Sequence, residues 1–281
     1  IKVRGERARW FGPGDDDVNV NSDLTYRHLG LHDTADERFA DVPADLAEVV
    51  DGYVAGFNTA LDAAISGEGI GGWCDGEPWV QPITTTDLYA YLNDVLLFAS
   101  SGVLIQPIAT AQPPSDDPAD SSDDSSETAP ETTVLEGTTT TSMGSNGWAI
   151  GSELSESGGG VLLANPHFPW EGERRLWESH LTLTDGSLDV YGATLSGVPG
   201  VLIGFNDDVA WTHTVSAGNR MTLYELSLDQ SSPTVYRFGD TTREMTSADI
   251  TVEVLQPDGE LDEVTRTMWR SHYGPMLDLP F

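Results

Sequence analysis

Apolar residues recur at the spacing of one helix face across residues 41–65, at Leu46, Val49, Val50, Tyr53, Val54, Phe57, Leu61 and Ile65. Asp41 is the expected N-cap of this helix, with Pro43 in its first turn and Gly67 beyond its end. A second helix is expected to begin near Thr86 and Asp87. It carries Leu88, Tyr91, Leu92, Val95, Leu96 and Ala99 on one side and meets Gly102 where a C-terminal cap belongs. The ordinary meaning of such stripes is core packing, because periodicity reports only which face is covered.

The pattern changes twice further on. Residues 112–144 are rich in Pro, Ser, Thr, Asp and Glu and hold no basic residue, too little apolar surface to offset the entropy of ordering. This stretch reads either as an acidic interdomain linker or as a removable spacer. After Gly144 come short candidate strands at 147–151, 161–164, 180–183, 188–195, 201–205, 209–212, 222–226 and 250–255, broken by Gly, Asp-Gly or Asn-Asp. The clearest hairpin turn is Asn206, Asp207 and Asp208. Helices followed by a strand-rich block, without βαβ alternation, indicate an α+β architecture.

Charge narrows the partners. The 281 residues carry 46 Asp plus Glu against 13 Lys plus Arg, a formal net charge of −33. That balance argues against nucleic acid and anionic lipid as ligands. Lys2 is the only lysine, and the excess of acids suggests a solvated, salt-adapted surface. No run of 18 apolar residues offers a transmembrane helix. Ile1 in place of Met, and an end at Phe281 without a closing turn, read as truncated ends.

The common catalytic signatures are absent: no G-x-S-x-G elbow, phosphate loop, dinucleotide fingerprint or H-E-x-x-H. Cys74 is alone, so neither an internal disulfide nor a cysteine metal cluster is available, and it reads as a small buried or half-buried hydrophobe. His28 and His32 stand four apart but lack an evident third ligand, so no metal site is expected. One tripeptide, Gly144-Ser145-Asn146, sits where the acidic tract gives way to a strand. A flexible glycine feeding a serine into a sheet suits self-processing, although a Gly-Ser pair is ordinarily a turn.

Several strings carry a resemblance to a known family. They are Gly144-Ser145-Asn146-Gly147-Trp148-Ala149-Ile150-Gly151, then Gly160 to Trp170 with Asn165-Pro166-His167-Phe168 inside it, then residues 188–195, Gly200 to Phe205 and Ala210-Trp211-Thr212-His213-Thr214-Val215. Taken in order, they resemble the start of the β chain of the penicillin acylase superfamily of N-terminal-nucleophile hydrolases. The aculeacin A and acyl-homoserine-lactone acylase branch is the most similar. Upstream, Gly52 to Asn58 and Pro78 to Thr84 resemble the family's α chain.

The resemblance implies a four-layer αββα sandwich built from a precursor that cuts itself between Gly144 and Ser145. Residues 1–111 would belong to the α chain, 112–144 to the spacer and 145–281 to the start of the β chain. Ser145 would be the nucleophile, and its freed α-amine, with a reference pKa of about 8, the general base. His167 would orient the site, the alternative being a packed core histidine. The Val215 backbone N–H would donate to the oxyanion, with a second donor, an asparagine, beyond Phe281. Phe168, Trp170, Leu195 and Val198 match acyl-pocket positions, or else are ordinary core. Where calcium-binding members place Asp, this chain has Gly218, Asn219, Arg220 and Met221, so calcium is not supported and no cofactor is expected. The implied activity is hydrolysis of a linear amide between an apolar acyl chain and an amine-bearing core, in the periplasm or outside the cell.

Two other readings stay open at this point. One is a noncatalytic, secreted pair of modules joined by an acidic linker. The other is a conventional serine hydrolase using Ser145, His167 and an aspartate without a free amine.

Overall fold

The computed structural model describes residues 1–98, 100–114, 144–216, 218 and 220–279. Two units divide the chain, one formed by Ile1–Val134 with Arg220–Phe281 and the other by Leu135–Asn219. Helices precede antiparallel sheets, the α+β order that the sequence pattern implies. From 115 to 143, the stretch expected to act as a spacer lies outside the described residues, as does Ala99.

The first unit contains helices α1 (Arg7–Phe11), α2 (Val18–Leu29), α3 (Ala35–Arg38), α4 (Ala44–Ser66), α5 (Thr85–Leu97) and α6 (Ile105–Thr110). The start of α5 is set locally. Thr84 accepts from the backbone N–H of Asp87 while the Asp87 carboxylate accepts from the N–H of Thr84, a capping box. Burial alone would raise the Asp87 carboxyl, but hydrogen bonds from the Arg4 side chain and from Thr84 outweigh it and hold the group well below the usual carboxylate range.

Helix α4 starts differently from its sequence signal. Pro43, not Asp41, occupies the N-cap, and its carbonyl accepts from the N–H groups of Leu46 and Ala47, both at 3.0 Å. Its apolar stripe is broader than its packing: Val50, Tyr53 and Val54 join the core, while Leu46, Val49, Phe57 and Ile65 are exposed. Helix α5 ends at Leu97 with Phe98 as C-cap, so Gly102 falls in a separate turn instead of capping it, and Leu96 is exposed.

Polar residues organise the deepest part of this unit. Asp23 on α2 is fully buried and accepts from the backbone N–H groups of Arg7 at 2.9 Å and Ala8 at 2.7 Å, which α1's own first turn leaves unpaired. Asn21 donates to Gln106 at 2.6 Å, and Arg266 donates to Asn21 at 2.9 Å and to the Ala109 carbonyl at 2.8 Å.

Among the described residues, six strands complete the first unit: β7 (Leu228–Asp229), β8 (Ser232–Phe238), β9 (Thr241–Glu244), β10 (Thr246–Leu255), β11 (Leu261–Ser271) and β12 (Gly274–Pro275). They form the sheets β7-β8-β9 and β10-β11-β12. Val252 and Val254 on β10 and Met268 on β11 meet Ala8, Val20, Leu24, Leu104 and Ile108 in one core cluster. The strand expected at 222–226 does not form. There Tyr224 stacks on Tyr273 with ring centroids 4.0 Å apart, outside any ladder.

The described residues of the second unit form the strands β1 (Gly144–Ile150), β2 (Val161–His167), β3 (Leu176–Thr182), β4 (Asp189–Leu195), β5 (Ile203–Phe205) and β6 (Ala210–Trp211), with one short 3-10 turn at Ser152–Leu154. β1 pairs with β2, and β3-β4-β5-β6 make an antiparallel sheet. Gly192 on β4 faces Gly204 on β5 so closely that a Cβ on Gly192 would lie 2.6 Å from the Gly204 Cα. No helix among the described residues is long and apolar enough to cross a membrane.

Candidate active site

The site begins with the β1–β2 ribbon. Its register is unbroken from Ile150 opposite Val161 to Gly144 opposite His167, so Ser145 stands opposite Pro166 and Asn146 opposite Asn165. Antiparallel pairing alternates between pairs that exchange backbone bonds and pairs whose N–H groups point outward, and proline fits only the latter. Ser145–Pro166 is therefore the outward pair, and Gly144–His167 the bonded one.

Side chains on a strand alternate faces, and residues directly opposite each other share one. Gly144, His167, Asn146 and Asn165 thus lie on one face of the ribbon. Ser145, Gly147 and Pro166 lie on the other.

On the Ser145 face, the Val215 backbone N–H donates to Ser145 Oγ at 3.2 Å. The β5–β6 hairpin sets the position of this donor. Asn206 closes the turn, its Oδ1 accepting from Asp208 and Val209 at 2.9 and 2.8 Å. Trp211 then anchors the strand by donating from Nε1 to the Leu202 carbonyl at 2.9 Å. The chain continues to Thr212, which lies so near β1 that a Cβ on Gly147 would be 2.9 Å from Thr212 Cγ2. Gly147 is what lets segment 212–215 approach the ribbon.

On the other face, His167 Nδ1 lies 3.2 Å from the place where a Cβ on Gly144 would be. The ring's Nε2 contacts the side-chain amides of Asn146 and Asn165, while no hydrogen bond joins the ring to Ser145 Oγ among the described residues. The structure brings Ser145 together with Val215, and His167 together with Gly144. Asn146 and Asn165 are participants that sequence reasoning missed. Alternation along β2 was a signal for Asn165, two residues before His167, whereas Asn146 reaches the same face only through the β1–β2 register.

The four expected acyl-pocket residues have different surroundings. Val198 is buried and Phe168 and Leu195 are half-buried, whereas Trp170 is 94% exposed. Other histidines are engaged elsewhere: His32 with Asp87 at 3.2 Å, His180 with Asp189 at 2.6 Å and His272 with the Tyr236 hydroxyl at 2.6 Å. Burial, then the Arg270 guanidinium, lower the His28 imidazole to about 4. Among the described residues, no three His, Cys, Asp or Glu side chains are grouped to hold a metal ion. Cys74 is half-buried in a short turn, Gly72–Cys74.

Comparison with known proteins agrees with the strings around Ser145. A family model described as penicillin amidase matches residues 1–280. The acyl-homoserine lactone acylase PvdQ of Pseudomonas savastanoi pv. phaseolicola (strain 1448A / Race 6) is 36% identical over 285 residues, covering 100% of this chain and 36% of the relative. The aculeacin-A acylase of Actinoplanes utahensis is 34% identical over 289 residues with the same coverage, 100% and 36%. Among solved structures, a thermostable penicillin G acylase from Alcaligenes faecalis is similar with a TM-score of 0.40 and 26% identity, over 48% of this chain and 23% of that one. The chain spans about a third of the length of the curated relatives it matches, 36% in each of these two cases. With a match running from residue 1 to residue 280, the chain belongs to the penicillin amidase family.

Proposed function

We propose that this chain is part of a self-processing acylase in which Ser145 is the nucleophile. The observation that carries the reading is the Val215 N–H at 3.2 Å from Ser145 Oγ, a backbone donor already at the reacting atom. In the precursor, Ser145 Oγ attacks the Gly144 carbonyl carbon, the C–N bond to Ser145 breaks, and the hydroxyl proton passes to the departing nitrogen. Water then opens the resulting ester, leaving Gly144 as a carboxylate and Ser145 with a free hydroxyl and α-amine. That amine, with a reference pKa of about 8, takes the hydroxyl proton when a substrate amide is attacked and returns it to the leaving amine. A second water releases the acyl group from Ser145.

Residues 1–111 and 145–281 then belong to the α and β chains, 112–144 to the spacer between them, and the complete protein folds as a four-layer αββα sandwich. The substrate is a linear amide with an apolar acyl group, as the relatives' names suggest: acyl-homoserine lactone and aculeacin A. Val215 donates to the oxyanion, and Phe168, Leu195 and Val198 contribute apolar surface to the acyl side. Trp170, being solvent-facing here, takes part only if the remainder of the protein covers it.

Denaturant quenching of the processed full-length protein during turnover of an acyl-homoserine lactone series, followed by peptide mass mapping, tests the reading. The expected adduct is one acyl group on the peptide that begins with Ser145. Turnover with the acyl group trapped on another residue would contradict it.

A further inference from the structure

Two side-chain amide nitrogens converge on a single ring nitrogen of His167. Asn146 Nδ2 lies 3.2 Å from Nε2 and Asn165 Nδ2 lies 3.1 Å from the same atom. The ribbon builds this arrangement: Asn146 and Asn165 are cross-strand partners, one step along the same face from the Gly144–His167 pair. An amide nitrogen has protons to donate and no lone pair to offer. A neutral ring meets the two amides at Nε2 as an acceptor, its one lone pair shared between them, and this arrangement calls for the ring proton on Nδ1. Nδ1 is the nitrogen turned toward Gly144, 3.2 Å from the position of a Cβ there.

We propose that Asn146 and Asn165 are positioning residues that lock His167 in the Nδ1–H tautomer and present that N–H to the acyl side of the scissile bond. The inference rests on the reading of Ser145 as nucleophile and assigns roles that the reading does not contain. In the precursor, the acyl side is Gly144. In the processed enzyme, the acyl group of the substrate takes the place that Gly144 leaves. His167 then acts as a fixed donor. It does not serve as a base for Ser145, whose hydroxyl lies on the opposite face of the ribbon.

The tautomer can be read directly by nitrogen NMR of the full-length precursor labelled with ¹⁵N-histidine. Ser145→Ala keeps this precursor uncut, and His167 is assigned by loss of its signals in a His167→Gln version. The expected pattern is an unprotonated Nε2 and a protonated Nδ1. Asn165→Asp exchanges a donor for an acceptor and should move the proton to Nε2, and Asn146→Asp provides an independent second variant. With Ser145 present, each variant should slow self-cleavage by about tenfold or more and lower kcat with little change in KM. A wild-type ring protonated on Nε2 would overturn the proposal. So would variants whose tautomer moves while cleavage and kcat hold. If the wild-type precursor is never cut, the nucleophile reading fails instead, and the spectrum of the uncut chain still decides whether the amides set the tautomer.

Discussion

Ser145 and His167 occupy opposite faces of one two-stranded ribbon: the hydroxyl is held by the Val215 N–H, and the ring stands beside Gly144. The register produces this separation. His167 is opposite Gly144, one residue before the serine, and a one-residue offset on a strand reverses the face. A serine–histidine pair of the conventional hydrolase kind needs the ring within hydrogen-bond reach of the hydroxyl. This ribbon does not provide that contact, which favours the free amine as the base.

Gly147 should be intolerant of substitution for a reason separate from backbone freedom. A Cβ there would press on Thr212 Cγ2 at 2.9 Å, and the β-branched threonine can yield only by turning its side chain or by shifting segment 212–215, which carries the Val215 N–H that reaches Ser145. Loss of an oxyanion donor, the role proposed for Val215, typically costs about 10²–10³ in rate. Gly147→Ala in the full-length protein should therefore slow acyl transfer by about tenfold or more, measured as kcat. An unchanged kcat would show that the segment moves without consequence.

Gly144→Ala tests the other face. Its methyl would lie 3.2 Å from His167 Nδ1, tighter than ordinary contact, so the ring must yield by a few tenths of an ångström. Self-cleavage should slow several-fold, roughly the effect of modest misplacement of a site group, as followed by gel densitometry of the precursor band. Cleavage at the wild-type rate would mean that the position of the ring is immaterial to processing.

The Gly192–Gly204 pair predicts a stability effect without direct involvement in chemistry. A methyl on Gly192 would meet the Ile203 carbonyl oxygen and the Gly204 Cα, both of them backbone atoms. Strands β4 and β5 would have to separate, at a cost of about 1–3 kcal/mol or more. Gly192→Ala should lower the urea midpoint accordingly, and an unaltered midpoint would contradict the packing described.

His28 gives a pH dependence of known sign. Its imidazole is lowered from 6.5 to about 4 by burial and by Arg270. The unfolded chain takes up the proton near the ordinary value and the folded one only near 4. Stability therefore falls as pH drops between those values and loses nothing more from this group below them. The ring is only half buried, so screening reduces the effect to about 1–2 kcal/mol. His28→Gln should flatten that part of the stability curve relative to wild type. Parallel curves would exclude the role.

Much of the fold was legible because it is periodic. The stripe at Val50, Tyr53 and Val54 located α4, and alternation located β1, β2 and β4. Helix α2 was not legible, since its buried face carries Asn21, Ser22, Asp23 and Thr25, and polar core residues break an apolar pattern. Asn21, Asp23 and Thr25 are satisfied outside their own helix, by Arg7, Ala8, Ile105, Gln106 and Arg266. β8, β9 and β11 were missed for a related reason. Charged and hydroxyl residues such as Arg237, Thr241, Arg243, Glu263 and Arg266 dilute their alternation, and cross-strand pairing sustains them. At the site, Gly144, Ser145 and Val215 were identified through resemblance to a family. The pairing that separates Ser145 from His167 depends on a register that spacing alone does not reveal.

Self-processing would make Ser145 a chain terminus, and intact mass with N-terminal sequencing of the full-length gene product, beside a Ser145→Ala version, reads this out. The wild type should yield a chain that begins Ser145-Asn146-Gly147, and the variant should stay whole. A wild type that remains uncut, or a variant cut at the same bond, would contradict it.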